Sequence, residues 1–205
     1  MQTHGHCRPC LDAIFAVIDE KHDYLHDFEE AVQTTANMIP EDFLDRVFSG
    51  DEAARKRRRF FIERKGMDRL PLGKLNIETL ISWCAKQGDS DVRPIVGASI
   101  NLWKTNDEEK SVSLSEEAMK FLESAPDAHA MLSAYASRME PRSGRSGGQA
   151  ETMKPTADAI GALSKSANTD IAKAAEAVVI EAIMWIESIR QREQRRDKER
   201  EQTFE

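Results

Sequence analysis

Apolar residues recur every three to four positions along almost the whole chain, the period of an amphipathic helix rather than of a strand. Leu11, Ile14, Phe15 and Ile18 predict a first helix entered after Pro9. Tyr24, Leu25, Phe28, Val32 and Ile39 predict a second, broken by Pro40. Phe43, Leu44, Val47 and Phe48 predict a short third helix that opens on Pro40-Glu41-Asp42 and closes at Gly50. Asp51 is placed to cap a fourth helix that ends near Gly66. After the connector Leu70-Pro71-Leu72-Gly73, Asn76 caps Ile77, Leu80, Ile81 and Cys84, with Gly88 as the stop. Ser90-Asp91 begins the next helix, through Val92, Ile95, Val96 and Ile100 towards Trp103, and Pro94 falls in its first turn.

The second half follows the same rule. Lys104 to Lys110 reads as a polar loop, and Ser113-Leu114-Ser115-Glu116 has capping-box spacing ahead of Ala118, Met119, Phe121 and Leu122. Pro126-Asp127 opens a helix carrying Met131, Leu132, Tyr135 and Met139. A short helix follows Pro155, and Asn168-Thr169-Asp170 caps a long final one. Its seam is expected at Ile171, Ala175, Val178, Ala182, Trp185 and Ile189. Beyond Ile189 no apolar face remains, so only pairs such as Arg195 with Glu199 support the helix there, and the end is expected to fray. Three regions result: a helical domain over 1–140, a flexible Pro/Gly/Ser/Arg linker over 141–154, and a C-terminal helical hairpin over 155–205 with a long charged terminal helix.

Composition agrees with an all-α class. Of 205 residues only 10 are Gly and 7 Pro, and aromatics are 6%, too few turn and strand formers for a sheet protein. No run approaches the roughly 20 apolar residues of a membrane span. The first residues lack the basic-then-apolar order of a secretory signal, and the 3 cysteines make no disulfide framework. A cytoplasmic location is the expectation. The net charge of -7 argues against a general nucleic-acid binder.

Two segments share a local pattern. Asp89-Ser90-Asp91-Val92-Arg93 leads to Ala98, and Asn168-Thr169-Asp170-Ile171-Ala172 leads to Ala174-Ala175; each follows a short amphipathic helix and is expected to open another with a capping Asp and a buried aliphatic. The pattern resembles the start of the second helix in HEAT-type repeats, over about Leu75 to Ile189, and the Ala125-Pro126-Asp127-Ala128 turn falls near the midpoint without the Val-Arg. The resemblance implies a HEAT-like α-solenoid of stacked helix pairs; an irregular helical bundle is the alternative. The charged tail would serve as a polar C-terminal cap. The N-terminus shows none, so the chain is expected to be the C-terminal part of something longer, or to pack its first helix on a partner.

Candidate chemistry is sparse. His4, His6, Cys7 and Cys10 include one Cys-x-x-Cys pair, half of a zinc knuckle with no second half, and two ordinary thiols are the plainer reading. His22 and His26 share a helix face, yet Asp23 stands where a zincin needs Glu, and a solvated acidic face with Asp19, Asp27 and Glu30 accounts for them better. Gly144-Arg145-Ser146-Gly147 is not a phosphate loop, and no nucleophile has a recognisable base. Neither an enzymatic activity nor a cofactor is expected. Trp83, Trp103 and Trp185 fall at apolar helix positions and read as core.

The strongest local signal is basic. Seven of the eleven residues from Arg55 to Lys65 are Lys or Arg, interrupted by Phe60, Phe61 and Ile62. Three partners fit such a block: nucleic-acid phosphates, the acidic surface of another protein, or the chain's own acids from Asp19 to Glu30. Arg55, Arg58, Arg59 and Lys65 are the candidate binding residues. The leading expectation is a helical repeat scaffold that binds a protein partner. A nucleic-acid-binding module using residues 55–65 is the alternative.

Overall fold

The computed structural model describes residues 4–20, 29–63, 71–88, 91–106, 111–139 and 148–203. It is mostly helical, with ten α-helices and one two-stranded hairpin among the described residues. None of these helices is long and apolar enough to cross a membrane. The chain divides into two compact units, Met1–Asn101 and Leu102–Glu205.

The first unit holds α1 (His4–Glu20), α2 (Glu29–Met38), α3 (Pro40–Phe48), α4 (Glu52–Glu63), a 3-10 turn at Pro71–Lys74, α5 (Ile77–Lys86) and α6 (Val92–Ala98). In α1 the expected face is the buried one: Leu11, Ile14, Phe15 and Ile18. The helix starts earlier than its proline suggested, with Pro9 inside it. There, in the second turn, proline forfeits the hydrogen bond to the Gly5 carbonyl and its ring crowds that carbonyl, a cost of about 3 kcal/mol set against the packing of four apolar side chains. Residues 21–28, including His22 and His26, lie outside the described residues, as do Arg64, Lys65 and Gly66.

Pro40 begins α3 at its first position, where the lost N–H would have been unpaired anyway. Phe43, Leu44 and Val47 point inward, and the ring of Phe43 meets that of Phe15 at 5.6 Å. Gly50 adopts φ +91°, a conformation that side chains oppose, and so turns the chain into α4. Asp51 Oδ1 then accepts the Ala54 N–H at 2.7 Å, capping α4 as its position promised. Asn76 caps α5 in the same way, accepting from Glu78 N at 2.8 Å. Asp91 stands at the head of α6 but makes no side-chain capping bond. Helix α1 packs on α2 and α4, α3 on α2, α4 and α5, and α5 on α6.

The second unit opens with β1 (Trp103–Asn106) and β2 (Ser111–Leu114), paired antiparallel with Trp103 opposite Leu114 and Asn106 opposite Ser111. The expected loop over Lys104 to Lys110 is therefore strand for its first three residues; 107–110 lie outside the described residues. Alternation across Val112 and Leu114, both half-buried between exposed serines, is the period-two signal, and it lasts too few residues to stand out. Ser115 N donates to Leu102 O at 2.8 Å and closes the hairpin base.

Helix α7 (Glu116–Glu123) is capped by Ser115, whose hydroxyl accepts Ala118 N at 3.0 Å, two residues beyond the Ser113 expected to do so. Ser113 is taken by β2. Helix α8 (Ala128–Ala136) is capped by Asp127 and buries Met131, Leu132 and Tyr135. The Tyr135 hydroxyl donates to Ala118 O at 3.0 Å, tying α8 to α7. Helix α9 (Gln149–Ala162) begins before Pro155, so the last residues of the 141–154 stretch are helical, while 140–147 lie outside the described residues. After a 3-10 turn at Leu163–Lys165 comes α10 (Thr169–Thr203), 35 residues long. Its cap is Asn168 rather than Asp170: Oδ1 accepts from Asp170 N at 3.0 Å and from Ile171 N at 3.3 Å.

Helix α10 packs on α8 and α9 through Ile171, Ala174, Ala175, Val178, Ala182, Ile186 and Ile189. The seam thus takes Ile186 where Trp185 was expected. Small residues at 174, 175 and 182 let the backbones approach; a Cβ built on Gly161 of α9 would lie 3.2 Å from Val179 Cγ2.

Candidate functional site

Two features of the described surface bear on function, one in each unit. The first is the basic helix α4. Arg58 is almost fully buried, and its guanidinium is consumed inside the fold. Nε donates to Asp19 Oδ1 at 2.9 Å and Nη2 to Asp19 Oδ2 at 2.5 Å, a bidentate pair. Nη1 reaches the carbonyls of Arg46 at 2.9 Å and Ser49 at 3.0 Å, satisfying carbonyls left over where α3 ends. The cation also sits 5.6 Å from the centre of the Phe15 ring.

This places the four candidate binding residues differently. Arg58 is a clamp joining α1, α3 and α4. Arg55 and Arg59 are half-buried, neighbouring Lys56 is exposed, and Lys65 lies outside the described residues. Phe60, Phe61 and Ile62 belong to α4 or its last turn, and their side chains are not described. Asp19 is the acid that answers the block. The hydrogen bonds from Arg58 hold its carboxyl below the usual carboxylate range against a smaller opposing effect of burial, and the charges of Arg58, Arg57 and Arg46 add to the lowering. Among the described residues, Arg46 Nε and Arg57 Nε are buried with no acceptor.

Beside this cluster lies a shallow cleft of about 270 Å³, lined by Arg8, Asp12, Asp42, Asp45, Arg46 and Ser49. Two of its carboxylates have partners within the fold: Arg8 Nε is 3.4 Å from Asp42 Oδ2, and Asp45 Oδ1 accepts the indole N–H of Trp83 at 2.7 Å.

The histidine and cysteine cluster at the N-terminus sits in α1, where Cys10 is exposed and the side chains of His4, His6 and Cys7 are not described. Among the described residues no three His, Cys, Asp or Glu side chains gather as a metal site.

The second feature was not singled out in the sequence. On α10, Ile180, Ile183 and Met184 are 59%, 56% and 68% exposed, and Trp185, on the side of the seam, is 38% exposed. At 3.6 residues per turn the first three fall on one face, opposite the buried seam. Exposed large side chains of this kind are otherwise found, among the described residues, only at Met38. The signal was present in the sequence as an apolar run, Val178 to Ile189, too dense for a helix with a single buried stripe.

Past this patch α10 is anchored to the start of α9. Arg190 Nη2 lies 2.9 Å from Glu151 Oε1, and Glu193 accepts the Gln149 N–H at the helix terminus, where a carboxylate is favoured. A Cβ on Gly148 would lie 2.6 Å from Glu193 Oε2, so the glycine leaves room for that carboxylate.

Comparison with known proteins finds no matching family model, no matching curated protein and no matching solved structure. The class that the fold defines is a mostly helical, all-α protein.

Proposed function

We propose that this chain is a cytoplasmic helical scaffold of HEAT-like helix pairs whose work is to dock another protein. The observation that carries the reading is the apolar outer face of α10, where Ile180, Ile183 and Met184 stand together. Isolated apolar residues on a surface need no explanation, but a contiguous group on a rigid helix marks an interaction site. Most consecutive helices within each unit pack on one another, among them α1 with α2, α5 with α6, α7 with α8 and α9 with α10, which supports the paired-helix architecture.

The test is affinity capture from the source cells with the intact chain and with an Ile180→Glu/Ile183→Glu variant. A protein recovered by the first and lost from the second is the expected result. The same proteins recovered by both would overturn the reading.

A second reading uses α4 against nucleic acid. Arg55, Lys56 and Arg59 remain outside the core and favour it, but the inward turn of Arg58 removes the central cation of the block. Phosphate-dominated binding weakens steeply with salt. A mobility shift at low salt that fades with added salt supports this second reading, and no shift at low salt removes it.

A further inference from the structure

Pro9 does not keep α1 from starting at His4, and this brings Cys7 and Cys10 onto one turn of a helix. The chain reads Cys7-Arg8-Pro9-Cys10 there. Helical positions three apart have their Cα atoms about 5 Å from each other, inside the range of roughly 4.4 to 6.8 Å that a disulfide spans. An irregular chain start would fix no such separation. The helix does.

The two positions differ in their surroundings. Position 7 stands four residues before Leu11 and continues the face that α1 buries, Leu11, Ile14, Phe15 and Ile18. Position 10 lies about 90° round the helix from the centre of that face, and Cys10 is exposed. The third cysteine, Cys84, is buried on α5 and takes no part.

Helix geometry also sets the character of the bridge. Side chains three apart hold their Cβ atoms about 5–6 Å from each other, and a relaxed disulfide needs about 4 Å. Closing that gap distorts the start of α1, where Pro9 has already removed one backbone hydrogen bond. A bridge that is strained and near the surface is readily reduced, which suits a reversible couple better than a permanent brace.

We propose that Cys7 and Cys10 form a reversible dithiol–disulfide couple whose oxidant is a small-molecule disulfide. The exposed Cys10 reacts first: its thiolate attacks one sulfur of the oxidant, expels a thiolate and becomes a mixed disulfide. The Cys7 thiolate then attacks the Cys10 sulfur, forms the Cys7–Cys10 bond and expels the second thiolate. The two cysteine protons pass to the two departing thiolates. One oxidant disulfide is thus reduced to two thiols as one protein disulfide is made. This chemistry is independent of the docking face on α10.

The reduced full chain, incubated with glutathione disulfide under native conditions, tests the proposal. Mass analysis should show a product two hydrogens lighter, with Cys7 and Cys10 joined within one peptide and Cys84 still a thiol. In Cys7→Ser the mixed disulfide at Cys10 has no resolving partner and accumulates. The parent should carry at least about tenfold less of that glutathione adduct. Cys10→Ser, which removes the exposed thiol, should take up glutathione more slowly than Cys7→Ser. Excess reduced glutathione should restore both thiols in the parent.

Equal glutathione adducts on the parent and on Cys7→Ser would overturn the proposal, as would oxidation that only links two chains through Cys10. A pair that resists the oxidant until a chelator is added would overturn it as well, in favour of a metal site.

Discussion

Arg58 and Asp19, 39 residues apart, meet through two parallel hydrogen bonds, Nε to Oδ1 at 2.9 Å and Nη2 to Oδ2 at 2.5 Å. The guanidinium side chain is 8% exposed and the carboxylate side chain 27%, so the pair sits at the inner edge of the α1–α4 contact. Removing one partner of such a pair strands the other and also unpairs two carbonyls at the end of α3. Arg58→Ala is therefore expected to destabilise the protein by about 3 kcal/mol. Lys56→Ala, on the exposed side of the same helix, should change stability by less than about 0.5 kcal/mol. Urea denaturation of the two variants checks the contrast, and equal effects would mean the clamp contributes little.

The same pair gives a pH dependence of known sign. The folded-state pKa of Asp19 is depressed, so its contribution to stability is fully present above the unfolded carboxylate value near 3.8. It is lost as pH falls from there through the lower folded value. Asp19→Asn removes this contribution at all pH values. Denaturation midpoints of the parent should fall more steeply than those of the variant as pH drops below about 3.8. Parallel curves would count against the assignment.

How far the sequence could be read depended on the range of the interactions. Apolar periodicity and local caps are short-range, and Asp51, Asn76 and Asp127 hold the helix starts that their positions indicated. The basic block was legible as charge, but which cation turns inward was not. That choice depends on α1 bringing Asp19 to the end of α3, a contact no local pattern encodes. The hairpin at 103–114 was missed because two four-residue strands offer too little alternation. A repeating stack of helix pairs remains the proposed, finer reading of an all-helical chain.

The α10 seam shows the limit most clearly. Trp185 and Ile186 are adjacent apolar residues, and a spacing of either three or four from Ala182 is helical, so the pattern admits both. Packing admits Ile186, which is 5% exposed against 38% for Trp185. The facing helices leave room for a slim aliphatic between α9 and α10, where small residues already hold the backbones close. Ile186→Ala should therefore cost about 3 kcal/mol by emptying a packed site. Trp185→Ala, measured at low protein concentration, should cost less than half as much. Thermal melts of both variants decide it, and a larger loss at Trp185 would return the tryptophan to the core.

Cysteine chemistry offers a test that needs no substitution. Cys84 is buried on α5, and that burial pushes its thiol up to about 12, with the charge of Arg93 opposing. Only the thiolate attacks a disulfide reagent or an alkylating agent, so Cys84 is doubly protected, by access and by protonation. Cys10 is exposed at the surface of α1. Under native conditions at pH 8, brief alkylation followed by peptide mass analysis should label Cys10 and leave Cys84 unmodified until the first unit is unfolded by denaturant. Because the neutral thiol is the form the fold favours, the same residue should begin to cost stability as pH rises above 9, its ordinary value. Rapid native labelling of Cys84 would mean that α5 opens readily, and with it the Trp83–Asp45 contact that joins α5 to α3.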